Sequence, residues 1–295
     1  MKVAFLGLGV MGYPMAGHLA AAGHDVVVYN RTASVAQRWC REYNGVSAST
    51  PAAAVAGAHL VFACVGNDAD IWSVATGDHG ALGAMAAGSV FVDHTTTSAT
   101  MAQSLSATAA ERDIAFVDAP VSGGQAGAEK GALTIMVGGD EAVCEEVRQV
   151  AAAYARQWRR MGNAGAGQLT KMVNQICIAG LVQGLSEGLK FAECAGLEPA
   201  AVFDVIGGGA AQSWQMDNRA ATMAAREFDH GFAVEWMRKD LGFALAEARK
   251  NGAALPVTEL VDRFYEEIVE NGGARWDTSS LVTRLDSNAG SKPKS

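Results

Sequence analysis

A chain of 295 residues, 49% of them hydrophobic, is long for one domain and comfortable for two, with enough apolar side chain to bury a core in each. Its formal net charge of −8 and the lack of a basic stripe argue against nucleic acid as a partner. The five cysteines, Cys40, Cys64, Cys144, Cys177 and Cys194, make neither a CxxC pair nor a metal-ligand spacing with the scattered histidines, so they read as small apolar residues of a reducing cytoplasm, with no metal site.

The first element is an apolar run, Val3-Ala4-Phe5-Leu6. Its alternation, its glycines and the lack of a convincing cleavage site fit a core strand better than a signal peptide. It leads into Gly7-Leu8-Gly9-Val10-Met11-Gly12 and a helix-like stretch carrying Met15, Leu19 and Ala22, and a second strand follows at Asp25–Tyr29. Strand, glycine turn, helix and strand, closed by Asn30, have the length of a mononucleotide-binding βαβ unit. In such a unit Gly7 makes the turn, Gly9 lets a pyrophosphate approach the backbone, and Gly12 allows close contact of helix and strand. The free N–H groups and the dipole at the helix start would hold the phosphates.

The residues after the second strand set which dinucleotide is preferred. An NAD-specific site usually has Asp or Glu there, to accept hydrogen bonds from the ribose 2′-OH. This chain has Asn30-Arg31-Thr32. Asn30 carries no charge to repel a 2′-phosphate, Arg31 can grip it as a fork, and Thr32 can donate a further hydrogen bond. Charged hydrogen bonds contribute about 1.5–3 kcal/mol each, enough for one arginine to favour NADPH over NADH by about tenfold to a hundredfold.

Beyond Asn30 the alternation continues, with strands expected at His59–Val65, Ser89–Asp93, Ile114–Asp118 and Leu133–Val137 and helices at Ser98–Glu111 and Glu141–Tyr154. This is an α/β, Rossmann-type doubly wound domain, whose ligands gather outside the carboxyl ends of the strands. After about residue 162 helical periodicity takes over. The expected organisation is a dinucleotide-binding domain at 1–162, an all-α substrate and oligomerisation domain at 163–286, and a polar, disordered tail at 287–295. The stretch Ile176–Leu189 is broken by Gln183, Ser186 and Glu187 and is too polar to span a membrane. The helix expected over Leu169–Ala195 is apolar on more than one face, which predicts a subunit interface.

Four blocks together resemble the β-hydroxyacid dehydrogenase family, which includes 3-hydroxyisobutyrate dehydrogenase, tartronate semialdehyde reductase and glyoxylate/succinic semialdehyde reductases. They are Gly7–Met15, Asp118–Gly124 (DAPVSGG), Gly162–Asn174 (GxxGxGxxxKxxN) and Lys239-Asp240-Leu241, in the family's order across nearly the whole chain. The resemblance implies the two domains joined by a long interdomain helix, and a dimer or tetramer. It also implies that Val65, Gly66 and Thr96 line the nicotinamide side and that Lys239 approaches the cofactor, with Asp240 holding Lys239 or Lys171.

The residues carry a chemistry of their own. Reduction of a carbonyl takes a hydride at carbon and a proton at the developing alkoxide, and Lys171 can bring the proton; partial burial near other positive groups would lower its pKa and suit it to acid–base work. Asn174 and Gln175, three and four residues on, share its helical face and can orient it or hydrogen-bond substrate. Many family members have asparagine four residues after the lysine; here that position is Gln175, so which amide touches substrate stays open. Ser122, Gly123 and Gly124 offer a hydroxyl and successive backbone N–H groups, a carboxylate cradle. Trp214 is a candidate pocket wall, and Phe232, seven residues before Lys239 and expected on its helical face, a candidate cover for the cofactor. The expected function is NADP(H)-dependent interconversion of a small β-hydroxyacid and its semialdehyde. An imine reductase on the same fold, or a non-catalytic cofactor-binding module, are the alternatives.

Overall fold

A computed structural model describes residues 1–286; the tail expected at 287–295 lies outside the described residues. The strands are β1 Lys2–Leu6, β2 Asp25–Tyr29, β3 Val46–Ser47, β4 Leu60–Ala63, β5 Val90–Asp93, β6 Ala115–Asp118, β7 Val121–Ser122, β8 Leu133–Gly138 and β9 Ala155–Gly162. Between and after them run helices α1 Gly12–Ala21, α2 Ala33–Tyr43, α3 Pro51–Val55, α4 Asp68–Thr76, α5 Ala99–Ala110, α6 Gly124–Glu129, α7 Glu141–Ala151 and α8 Ala166–Cys194. The rest is helical: α9 Pro199–Gly207, α10 Trp214–Ala225, α11 Val234–Asn251, α12 Pro256–Glu270, a 3₁₀ turn at Thr278–Val282 and α13 Thr283–Asp286.

The strands form one sheet in the order β3-β2-β1-β4-β5-β6-β8-β7, with β9 on β8. From β3 to β6 every pairing is parallel; β8 then runs antiparallel to β6 and β7. Such a sheet is covered on both faces, which is why β4 and β5 are buried along their whole length, β4 as an unbroken apolar run and β5 as an apolar run closed by Asp93. Alternate residues feed two cores. Phe5, Phe62 and Val92 meet Met15 and Leu19 of α1, Trp39 of α2 and Val147 of α7 on one side. Leu6, Val61 and Phe91 meet Val55, Ile71 and Leu105 of α3, α4 and α5 on the other. Helices α3, α4, α5 and α7 start where short polar side chains accept first-turn N–H groups: Thr50, Asn67, Ser98 and Asp140 each cap the helix that follows.

The expected strands and helices are present with their ends shifted by up to three residues, and β3, β7 and β9 are additions. β3 and β7 are two residues each, too short to show a period. β9 carries Arg156, Arg159 and Arg160 and pairs only with β8, so its edge position lets it stay polar, and the apolar pattern that marks a buried strand is missing.

Two compact units divide the chain, the first ending at Lys171 and the second beginning at Met172. The first turn of α8 therefore packs with the sheet rather than with the helices that follow residue 162. The second unit is all-helical. Its core joins Ala179 and Val182 of α8 to Met237 and Leu241 of α11 and Val261 and Tyr265 of α12, and a smaller cluster gathers Leu189, Met216 and Met223. No helix among the described residues is long and apolar enough to cross a membrane.

Candidate active site

The glycine turn joins the end of β1 to α1. Gly7 has φ +96° and a Cβ there would collide with the carbonyl of Cys64, while a Cβ on Gly12 would collide with the carbonyl of Gly7. Gly9 differs, since a Cβ there meets nothing within 4 Å. Gly7 and Gly12 are thus required by packing of the chain on itself, and Gly9 faces open space beside the first turn of α1. That is the geometry a pyrophosphate needs, because the first N–H groups of a helix have no intrahelical partner. Leu8 is buried, whereas Val10 is exposed and Met11 half-buried.

Asn30 does more than avoid a charge. Its Oδ1 accepts a hydrogen bond from the backbone N–H of Leu8 at 2.9 Å, and its Nδ2 donates to the carbonyl of Thr32 at 3.1 Å. One amide therefore ties the glycine turn to the loop after β2. Arg31 is 86% exposed in its side chain and its Nη1 stands 3.3 Å from Oδ1 of Asp70. Thr32 is exposed and precedes α2 without a side-chain capping bond.

The other loops at the carboxyl ends of the strands are joined by buried polar side chains. Val65 N–H donates to Thr95 Oγ1 at 3.0 Å, and Thr95 N–H to Asp93 Oδ1 at 2.8 Å. His94 bridges the Ala119 carbonyl through Nδ1 (2.7 Å) and the Tyr154 hydroxyl through Nε2 (2.8 Å). Burial pushes its pKa down to about 4, so the imidazole is neutral at physiological pH. Its Nδ1–H then donates to the carbonyl and its Nε2 accepts from tyrosine. Asp93 and Asp118 sit side by side in register on β5 and β6. Burial raises the pKa of Asp93 to about 7 against the lowering effect of its bonds to Thr95, and raises that of Asp118 as well.

Asp118 reaches the start of α8. Its Oδ1 accepts from Gly165 N–H at 2.8 Å and its Oδ2 from Gln168 N–H at 2.9 Å. Those bonds pin the first turn of the helix, and three residues beyond Gln168 stands Lys171, only 7% exposed. Val65 and Gly66, Thr96 and Ser122 are half-buried at strand ends or in the loops that leave them; Gly123 and Gly124 have φ +136° and +61°, and a Cβ on Gly124 meets nothing within 4 Å. Asp118 and Gln168 were not among the expected site residues. Their signal is a carboxylate closing an otherwise apolar strand and an amide inside a glycine-rich helix start, but nothing in the residue order says that the two meet.

In the helical unit the polar residues form a chain of contacts. Asn174 Nδ2 donates to Gln175 Oε1 at 2.8 Å, and Gln175 Nε2 donates to Asp240 Oδ2 at 2.7 Å. Asp240 Oδ1 is 3.3 Å from Lys239 Nζ, and that ammonium also lies 5.7 Å from the rings of both Trp236 and Phe243. Phe232 precedes α11, where its backbone N–H donates to Asp277 Oδ2 at 2.9 Å, so the helical spacing to Lys239 does not apply to it. Trp214 opens α10, exposed, with the Arg219 guanidinium 5.1 Å from its ring.

A family model for the NAD binding domain of 6-phosphogluconate dehydrogenase matches residues 2–175, and one for the NAD-binding region of NADP-dependent 3-hydroxyisobutyrate dehydrogenase matches residues 165–285. The chain belongs to the β-hydroxyacid dehydrogenase family. The chain is 59% identical to an uncharacterized oxidoreductase of Shewanella frigidimarina, over 97% of the chain and 98% of the relative. It is 34% identical to the 2-hydroxy-3-oxopropionate reductase of Escherichia coli, over 99% of both. Among solved structures it is similar to the 3-hydroxyisobutyrate dehydrogenase of Mycobacterium tuberculosis with L-serine, at 31% identity and a TM-score of 0.87, covering 96% of this chain and 98% of the other. Membership supports NAD(P)-dependent hydroxyacid dehydrogenase activity with a nicotinamide cofactor, and the open space at Gly9 beside a helix start fits the diphosphate of such a cofactor.

Proposed function

We propose that this dehydrogenase interconverts a small β-hydroxyacid and its semialdehyde with NADP(H), using Lys171 as general acid and base. The observation that carries the proposal is the burial of Lys171 in the second turn of a helix whose start is fastened to the sheet by Asp118. A lysine needed only for solubility has no reason to leave water, since burial of an ammonium costs several kcal/mol or more unless it is compensated.

Residues Gly7–Gly12 would hold the diphosphate, and Val65, Gly66, Thr96, Phe232 and Lys239 would contact the nicotinamide end. The bound cofactor supplies or accepts the hydride. In the reducing direction the Lys171 ammonium gives its proton to the oxygen that becomes the alcohol; in the oxidising direction the neutral amine takes the alcohol proton as hydride leaves the carbon. Ser122 and the N–H groups of Gly123 and Gly124 hold the substrate carboxylate, and Trp214 walls the pocket. Both ends of the Gln175 amide are engaged, one with Asn174 and one with Asp240. Gln175 is therefore the residue that orients, linking Asn174 to Asp240, and an amide of this pair meets substrate.

Preference for NADPH rests on Arg31. Its pairing with Asp70 leaves the guanidinium exposed, and an exposed ion pair is worth only about 0–1 kcal/mol, so a 2′-phosphate displaces the carboxylate readily. The active species is a cytoplasmic homodimer or homotetramer, supported by Val173, Leu181 and Phe191, apolar residues exposed along α8. Two relatives bear on substrate class by name, 2-hydroxy-3-oxopropionate reductase and 3-hydroxyisobutyrate dehydrogenase.

NADPH oxidation with tartronate, methylmalonate and succinic semialdehydes, glyoxylate and cyclic imines tests the reaction, and Lys171→Ala tests the mechanism. Turnover of at least one carboxylated aldehyde, abolished in the variant, is expected. Turnover of imines alone, or full carbonyl reduction by Lys171→Ala, would overturn the proposal. For the cofactor, an NADPH preference unchanged in Arg31→Ala would remove the arginine assignment.

A further inference from the structure

Gln168 is completely buried, and both ends of its side chain are engaged. Oε1 accepts the backbone N–H of Thr97 at 3.0 Å, and Nε2 donates to the carbonyl of Thr95 at 2.7 Å. The amide thus pairs with the two sides of Thr96 as a neighbouring strand would. Only a primary amide presents a donor and an acceptor side by side at the end of an uncharged chain, so no other uncharged side chain of this length can make both bonds.

The helix end of this contact is equally constrained. Asp118 takes the N–H groups of Gly165 and Gln168, filling the role of an N-cap from a different strand. A carboxylate suits that place because the helix start carries partial positive charge. The fit leaves no slack: a Cβ on Gly167 would stand 2.6 Å from the Met136 carbonyl and 2.8 Å from Asp118 Oδ2, and one on Gly138 would collide with Asp118 Oδ1. At the loop end, Thr95 is held on two more sides, by Asp93 through its N–H and by Val65 through its hydroxyl. The Val65 turn, the Thr95–Thr97 loop and the first turn of α8 are therefore fastened to one another through two side chains, Thr95 and Gln168.

We propose that Gln168, anchored by Asp118, is a positioning residue that clamps the Thr95–Thr97 loop to the helix turn bearing Lys171, so that the cofactor-side loop and the proton-transferring lysine are placed as one body. Lys171 follows Gln168 by three residues, about 4.5 Å along the helix axis and on nearly the same side. A shift of the loop is carried to the lysine within one turn. Hydride and proton transfer require both to be in register, and a misplacement of about 1 Å costs about a hundredfold in rate. This inference rests on the assignment of Lys171 made above.

The test joins amide hydrogen exchange on the cofactor-free protein to steady-state kinetics, for wild type, Gln168→Met, Asp118→Asn and Lys171→Ala. In Gln168→Met the amides of 94–98 and those of 165–172 are expected to exchange together, about tenfold faster or more, while those of β1 keep their protection. With the carbonyl substrate that serves best, kcat is expected to fall by about tenfold to a hundredfold with KM changed by less than about threefold, and the isotope effect on hydride transfer to rise. Asp118→Asn, which keeps the shape and one acceptor oxygen, is expected to show the same paired exchange at smaller amplitude, and it serves should the methionine variant not fold. Faster exchange in only one of the two segments, or in neither, overturns the clamp. So does paired exchange with wild-type kcat in a protein that Lys171→Ala inactivates. Activity retained by Lys171→Ala would instead strike at the lysine assignment, and the exchange pattern would still decide whether the clamp exists.

Discussion

The Oδ1 atom of Asn30 accepts a hydrogen bond from the backbone N–H of Leu8 at 2.9 Å, so the residue that closes β2 also fixes the glycine turn after β1. The same amide donates to Thr32. Asn30→Asp keeps the acceptor for Leu8, loses the donor to Thr32, and puts a negative charge where a 2′-phosphate would come. NADPH affinity is expected to drop by about tenfold, the equivalent of one charged hydrogen bond, with NADH affinity unchanged or improved. Fluorescence titration of both cofactors measures the ratio, and equal weakening of the two would show that the amide matters only to the turn.

Asp70 competes for Arg31. Removing its charge in Asp70→Asn releases the guanidinium from a pair that is mostly exposed. NADPH binding is expected to tighten by about twofold to fivefold, in keeping with the small value of an exposed ion pair, and NADH binding to stay the same. The difference should shrink as salt is raised from low to physiological strength. An Asp70→Asn protein with weaker NADPH binding would mean that the pair orients Arg31 for phosphate instead of competing for it.

The three glycines of the turn should separate stability from binding. Gly12→Ala places a methyl group against the carbonyl of Gly7, and such overpacking against backbone costs about 1–3 kcal/mol or more. Gly9→Ala meets no atom within 4 Å. Its melting temperature is expected to match wild type, while cofactor affinity falls by about tenfold or more because the methyl group occupies the approach of the pyrophosphate. Thermal melts with and without NADPH distinguish the two; a Gly9→Ala protein that is stabilised by NADPH as strongly as wild type would contradict the placement of the diphosphate.

Asp93 gives stability a pH dependence whose sign can be worked out. Its pKa is raised by burial to about 7 in the folded protein, from an ordinary value of 3.8. Between those values the folded state holds a proton that the unfolded state has released, so the contribution of Asp93 declines as pH rises and reaches its full penalty above about pH 7. Asp93→Asn keeps the acceptor for Thr95 without a titratable group. The unfolding free energy of the variant minus that of wild type is therefore expected to climb by up to about 1.4 kcal/mol per pH unit between pH 5 and 7, then level off. Urea unfolding at several pH values measures it, and a difference that stays flat across that window would mean that Asp93 is ionised when folded.

The βαβ unit, the alternation that follows it and the helical second half were all legible in the residue order, because each is written in local terms. Gly7–Gly12 must turn tightly, β1 and β4 must be apolar to be buried on both faces, and the helices declare themselves by period and by caps such as Ser98 and Asp140. Lys171 stood out for a local reason as well, as one basic residue between a glycine-rich helix start and an apolar continuation. β9 stayed hidden because an edge strand need not be apolar, and Phe232 was assigned to a helix that begins after it.

What tertiary structure alone decided is which polar groups meet. Asp118 and Gln168 are 50 residues apart and Gln168 and Thr95 are 73 apart, and no spacing rule reaches that far. The pairings of Asn30 with Leu8, Asp70 with Arg31 and Gln175 with Asp240 are of the same kind. Local pattern fixes an element because the backbone repeats every two or 3.6 residues. A buried hydrogen bond across the fold is fixed only when packing withdraws both partners from water and leaves each with the other as its compensation. The sequence by itself thus determined the family and the local elements, and the folded chain decided that Gln168 joins the Thr95–Thr97 loop to the first turn of α8.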